Sequence, residues 1–206
     1  MKEIHLKVCG MRDEANIAAL MELQPDFIGF IFHEISPRYC EKVPEVFIPE
    51  STRKTGVFVN KPEEYIARKK KDFHLDYVQL HGAESPEFCG RIQHSVAPVI
   101  KAFNLYDDFD FDTLKSYEEA CAFFLFDASG PLAGGNGKLF NWQILEQYRG
   151  TTPFLLSGGI DESMAEAIRN IKHPAFYGVD INSRFELRPA IKDINKIKRF
   201  KHELQS

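Results

Sequence analysis

Short runs rich in apolar and β-branched residues alternate along the chain with stretches whose apolar residues recur at helical spacing. "IHLKVC" (4–9) is read as the first strand and 13–23 as the first helix, with Ile17, Leu20 and Met21 as its apolar stripe. Further strands are expected at 26–32, 54–60, 75–82, 97–103, 121–130, 152–160 and 175–181. Helices are expected at 62–73, 85–92, 111–118, 142–148, 162–170 and 190–203, with Ser85 as an N-cap ahead of Pro86. Segment 33–53 fits least well, because "EVFIPEST" gives only a short helix or an irregular turn. Alternating elements imply an α/β fold with a parallel sheet, and eight units in this length favour a closed (β/α)8 barrel. An open doubly wound sheet is the alternative, but Cys9-Gly10-Met11-Arg12 stands where a dinucleotide-binding G-x-G-x-x-G would open the first helix.

The 206 residues suit one domain spanning 1–206, and 44% hydrophobic with 27% charged residues gives enough apolar mass for a substantial core. A net charge of −4 offers no general attraction to nucleic acid. The two basic runs, "ARKKKD" (67–72) and "KDINKIKRFKHEL" (192–204), read as solvated helix faces. Four separated cysteines without a C-x-x-C pair, and a first strand that begins almost at once, point to a reduced cytoplasmic protein. The longest apolar run, "ACAFFLF" (120–126), is far short of the about 18 residues of a membrane span.

In a (β/α)8 barrel, functional groups collect at the carboxyl ends of the strands. Cys9, His81, Asp127, Ser157-Gly158-Gly159 and Asp180 occupy such positions. Strand alternation puts His5, Lys7 and Cys9 on one face and Ile4, Leu6 and Val8 on the other. Strands one and six are not neighbours, so Cys9 and Asp127 are expected to face each other across the mouth, as acid/base chemistry requires. A cysteine base needs nearby positive charge, and Lys7 is the expected source. The rival roles for Cys9 are a core thiol and a nucleophile, the latter usually needing an adjacent histidine where His5 lies two positions deeper, and Asp127 could cap a turn in "DASG". "LSGGID" and "YGVDINSR" suggest a phosphate site, with glycine backbone and helix-start N–H groups as donors, although the glycines could simply make a tight turn. The glycine-rich "GPLAGGNGK" (130–138) reads as a lid.

Taken together, "LKVCGMR", "DFIGFIF", "SPRY", "VQLHG", "FLFDASG", "GGNGKLFNW", "LLSGGI" and "GVDINS" resemble phosphoribosylanthranilate isomerase over residues 4 to 194. The resemblance implies a barrel with neither cofactor nor metal that performs an Amadori rearrangement in tryptophan biosynthesis on a phosphorylated small molecule, as a monomer or homodimer. It further implies Asp127 as general acid, Cys9 as general base and Arg38 as partner of the substrate carboxylate. A phosphate site at Gly158, Gly159, Asn182 and Ser183 follows, closed over by the segment around Gly135. Lys7, His81 and Asp180 complete the expected binding residues.

The family commonly has a Ser-Gly-Val-Glu type sequence after strand eight, whereas this chain has Ser183-Arg184-Phe185-Glu186. Arg184 could add charge to the phosphate site or point to solvent. Asn141 and Ala190 are milder departures. Two other functions compete: a dual-specificity isomerase also serving histidine biosynthesis, which typically pairs two aspartates, and a phosphate-ligand-binding barrel without turnover. The chain has no room for the second barrel to which this activity is sometimes fused.

Overall fold

The computed structural model describes residues 3–128 and 142–206. Eight parallel strands close into a barrel in sequence order: β1 His5–Cys9, β2 Phe27–Ile31, β3 Arg53–Phe58, β4 Tyr77–Leu80, β5 Val99–Asn104, β6 Phe123–Asp127, β7 Phe154–Ser157 and β8 Phe176–Ile181. β1 and β8 complete the ring, with Lys7 beside Asp180 in the register. Closure leaves no barrel edge with unpaired backbone groups. The open-sheet alternative is therefore excluded.

The helices differ more from expectation than the strands do. α1 (Glu14–Met21), α2 (Glu63–Phe73) and α3 (Pro86–Ser95) form where expected, and Ser85 Oγ accepts the Phe88 N–H as the N-cap of α3. Phe111–Ala120 and Trp142–Gln147 are instead 3-10 helices, and the seventh unit has a 3-10 turn (Glu162–Met164) before the short α4 (Ala165–Arg169). These segments carry too few apolar positions at helical spacing to hold a longer α-helix against the sheet. Of the segment 33–53, Arg53 already belongs to β3 and 33–52 is irregular, touching the sheet through a bridge from Tyr39 to Ile31.

The expected last helix over 190–203 begins later. Glu186–Arg188 (β9) and Ile191–Lys192 (β10) pair as a small antiparallel hairpin, turning at Ala190 with φ +66°. α5 then runs over Ile194–Gln205, capped by Asp193, whose carboxylate accepts the Lys196 N–H at 3.0 Å. Lys192 is consequently not on the wet face of a helix. It is 1% exposed.

Outward-facing Leu6, Val8, Ile28, Phe30, Phe124 and Phe126 pack with Ile17, Leu20, Ile66, Ile92, Ile197 and Phe200 of the helices into the main core. Inside the barrel, Ile100, Ala102, Leu125 and Leu155 pack on Tyr77, Phe123 and Tyr177. An aromatic floor closes the amino end: His5 stacks on Tyr177 at 4.0 Å, and Phe27 and Phe123 meet Tyr77 and Tyr177 edge-on. Asp26 holds His5 in place, 2.7 Å from its Nδ1. Among the described residues, no helix is long and apolar enough to cross a membrane.

Candidate active site

At the opposite, carboxyl end the strands surround a cavity of about 170 Å³. Cys9, Arg38, His81, Asp127, Gly158, Gly159, Asp180, Asn182 and Ser183 all line it. Gly135 and the rest of the expected lid lie outside the described residues. Gln79, Ile31, Val57 and Arg184 also line the cavity. Gln79 lies in "VQLHG" as an inward position of β4, two residues before His81, but is given no role of its own there.

Cys9 ends β1 and Asp127 ends β6, so the two groups enter the same cavity from separate strands. Room for the thiol comes from Gly29 on the neighbouring strand, where any Cβ would lie 2.8 Å from Cys9 Sγ. On the other side of the mouth, the Gln79 amide donates to His81 Nδ1 at 3.0 Å. That leaves the ring proton on Nε2, which faces Asp127 Oδ2 at 3.5 Å.

Lys7 departs from both roles expected of it. It is fully buried beneath the cavity and does not reach the lining, because its ammonium bonds Asp180 Oδ2 at 2.8 Å. Burial alone would lower its pKa, but the Asp180 carboxylate and Cys9 outweigh this and keep the ammonium charged above the ordinary lysine value. For Cys9 the balance runs opposite to expectation. Burial pushes the thiol up, Lys7 and Lys192 pull it down, Asp180 adds to the rise, and the net direction is upward. A lysine already matched by a carboxylate offers a thiolate little net field.

Arg38 also has an internal partner. Its Nε and Nη2 grip Glu186 at 2.9 and 2.7 Å, a two-point bridge that fits a planar guanidinium. Lys192 shares the same carboxylate at 2.7 Å. Around Cys9 there are thus three cations, Lys7, Arg38 and Lys192, against two carboxylates, Asp180 and Glu186. Asp127 stands across the same cavity, and a carboxylate there offsets the third cation.

At the expected phosphate end, Gly158 and Gly159 have φ of +91° and +68°, which favour glycine. Of the two helix starts expected to donate there, the one after β7 is capped, Asp161 accepting the Ser163 N–H at 2.9 Å, whereas the 3-10 turn Ser183–Phe185 after β8 has no side-chain cap. Arg184 lines the rim of the cavity beside Ser183 and is at the same time exposed to solvent, and it forms no ion pair among the described residues. Among the described residues, no group of three or more His, Cys, Asp or Glu is arranged to hold a metal ion.

The fold and this mouth define a (β/α)8 barrel with its ionisable groups gathered at the carboxyl ends of the strands. The family described as N-(5'phosphoribosyl)anthranilate (PRA) isomerase matches residues 6–203. The N-(5'-phosphoribosyl)anthranilate isomerase of Parabacteroides distasonis is 48% identical over 200 residues, covering 95% of this chain and 90% of the relative. Phosphoribosyl anthranilate isomerase from Thermotoga maritima superposes with a TM-score of 0.84 at 29% identity, covering 98% of this chain and 99% of that one. A crystal structure of the isomerase in complex with reduced 1-(o-carboxyphenylamino)-1-deoxyribulose 5-phosphate has the same TM-score at 28% identity, with 98% and 99% coverage. The chain belongs to the phosphoribosylanthranilate isomerase family.

Proposed function

We propose that this chain converts N-(5′-phosphoribosyl)anthranilate into 1-(2-carboxyphenylamino)-1-deoxyribulose 5-phosphate, an aldose-ketose isomerisation in tryptophan biosynthesis. One observation carries the residue assignment: Cys9 and Asp127 enter a single cavity from non-adjacent strands. Asp127 gives a proton to the ribose ring oxygen, and the sugar opens to an iminium. Cys9 takes the C2′ proton, forming the enolamine, which tautomerises to the ketone. An acid and a base on opposite sides of the substrate allow both proton transfers without repositioning it.

His81 Nε2 beside Asp127 steadies the carboxylate left after the first transfer. Arg38 meets the anthranilate carboxylate, and Gly158, Gly159, Asn182, Ser183 and the segment around Gly135 hold the phosphate. Asp180 acts from below by keeping Lys7 charged. The whole chain works as one catalytic barrel domain in the cytoplasm, as a monomer or homodimer.

The test is direct. Substrate is generated in place, purified protein is added, and loss of the anthranilate-type fluorescence is followed, with Asp127→Asn as the inactive control. Fluorescence that persists at high enzyme concentration refutes the activity.

A further inference from the structure

Lys192 has no part in the proton transfers described above, yet its ammonium makes two short bonds at the wall of the cavity. It lies 2.7 Å from Glu186 Oε1 and 2.7 Å from Asn182 Oδ1. An ammonium only donates, so the oxygen side of the Asn182 amide must face it and the NH2 side is turned away. Glu186 is saturated at the same time. It accepts from Lys192, from the Ala190 N–H at 3.0 Å, and from Nε and Nη2 of Arg38. The Nη1 edge of Arg38 bonds no described residue. Arg38 and Asn182 lie together against the bare backbone of Gly10, where a Cβ would come within 2.8 Å of Arg38 Cδ and of Asn182 Oδ1.

We infer that Lys192 is a positioning residue for an anionic carboxylate ligand: it shares the charge of Glu186, so that Arg38 is held in place without being neutralised. With Lys192 present, the trio of Lys192, Glu186 and Arg38 carries one net positive charge. Without it, Glu186 and Arg38 cancel, and the guanidinium has no surplus charge for a second carboxylate. The role rests on the proposed substrate, whose carboxylate is the group Arg38 would meet.

Calorimetric titration tests this with two ligands: reduced 1-(o-carboxyphenylamino)-1-deoxyribulose 5-phosphate and its phenylamino counterpart lacking the carboxylate. Lys192→Met keeps most of the stem and removes the charge. It is expected to weaken the carboxylated ligand at least about tenfold and the other about threefold or less, since one charge-assisted contact is lost selectively. Should Lys192→Met fail to fold, Lys192→Gln keeps a donor for Glu186 and is expected to show the same preference, above threefold. Equal losses on both ligands, or no loss on either, overturn the inference and leave Lys192 a packing residue. Wild-type protein that binds neither ligand overturns the substrate reading, and this role with it.

Discussion

Replacing Lys7 by Met strands a carboxylate inside the barrel. The Lys7–Asp180 contact is 2.8 Å long, with side chains 0% and 5% exposed, and Asp180 Oδ1 has no hydrogen-bond partner to fall back on. Asp180 can then remain charged and unpaired, which costs about 3–5 kcal/mol in measured buried pairs, or take up a proton. Protonation sets the ceiling: moving a carboxyl of ordinary pKa to its neutral form at pH 7 costs about 4 kcal/mol, at 1.36 kcal/mol per unit. In a chain of this size that amounts to a fall of about 8–16 °C in Tm.

Burial already holds the Asp180 carboxyl above its ordinary value, with Lys7 pulling it back. Removing Lys7 raises it further. A carboxyl raised in the folded state favours folding when protonated, so stability is present at low pH and is lost as pH rises through the folded value. The deficit of Lys7→Met against wild type should therefore shrink by up to about 1.4 kcal/mol per unit as pH falls from 7 towards 5. Urea unfolding followed by circular dichroism at several pH values measures it. Lys7→Met with Asp180→Asn removes both charges and should recover most of the loss. A deficit under about 1 kcal/mol at pH 7, or one unchanged between pH 7 and 5, refutes the account of a buried, mutually dependent pair.

Three further outcomes are expected. With the other three cysteines replaced, alkylation of Cys9 should titrate above an exposed thiol in a reference peptide, because burial raises it; a midpoint at or below the reference contradicts this. Gly29→Ala puts a Cβ 2.8 Å from Cys9 Sγ and should displace the base, lowering kcat by about 10²-fold with little change in KM; kcat within threefold of wild type shows that the thiol moves freely. Arg184→Met should raise KM about three- to tenfold at constant kcat, an effect that fades with salt; unchanged KM at low ionic strength removes Arg184 from the binding site.

The barrel was legible because its strands announce themselves. Runs such as Phe123–Asp127 are apolar on both faces and stop at a polar residue, which is what a parallel strand buried inside and out looks like. Cys9, Asp127, His81 and Asp180 were recoverable as strand ends for the same reason. What Lys7 does was not, since its partner lies 173 residues away and becomes adjacent only through closure of β1 on β8. Arg38 and Glu186, 148 residues apart, are equally non-local. Lys192 heads a lysine-rich run of helical spacing, and such a run reads as a solvated face. A local signal did exist: Asp193 is a good N-cap, which starts the helix at Ile194 and leaves Lys192 on the extended segment before it.

Among the described residues, the aromatic floor makes the barrel a cup that opens at its carboxyl end. Nothing the size of a sugar phosphate passes between His5, Phe27, Tyr77, Phe123 and Tyr177, so whatever enters past Cys9 and Asp127 must leave by the same way. Turnover in such a vessel is strictly sequential: each product has to clear the mouth before the next substrate can descend. Product and substrate then contend for one empty enzyme form, and the rate at which the mouth clears bounds how fast the chemistry below can be used.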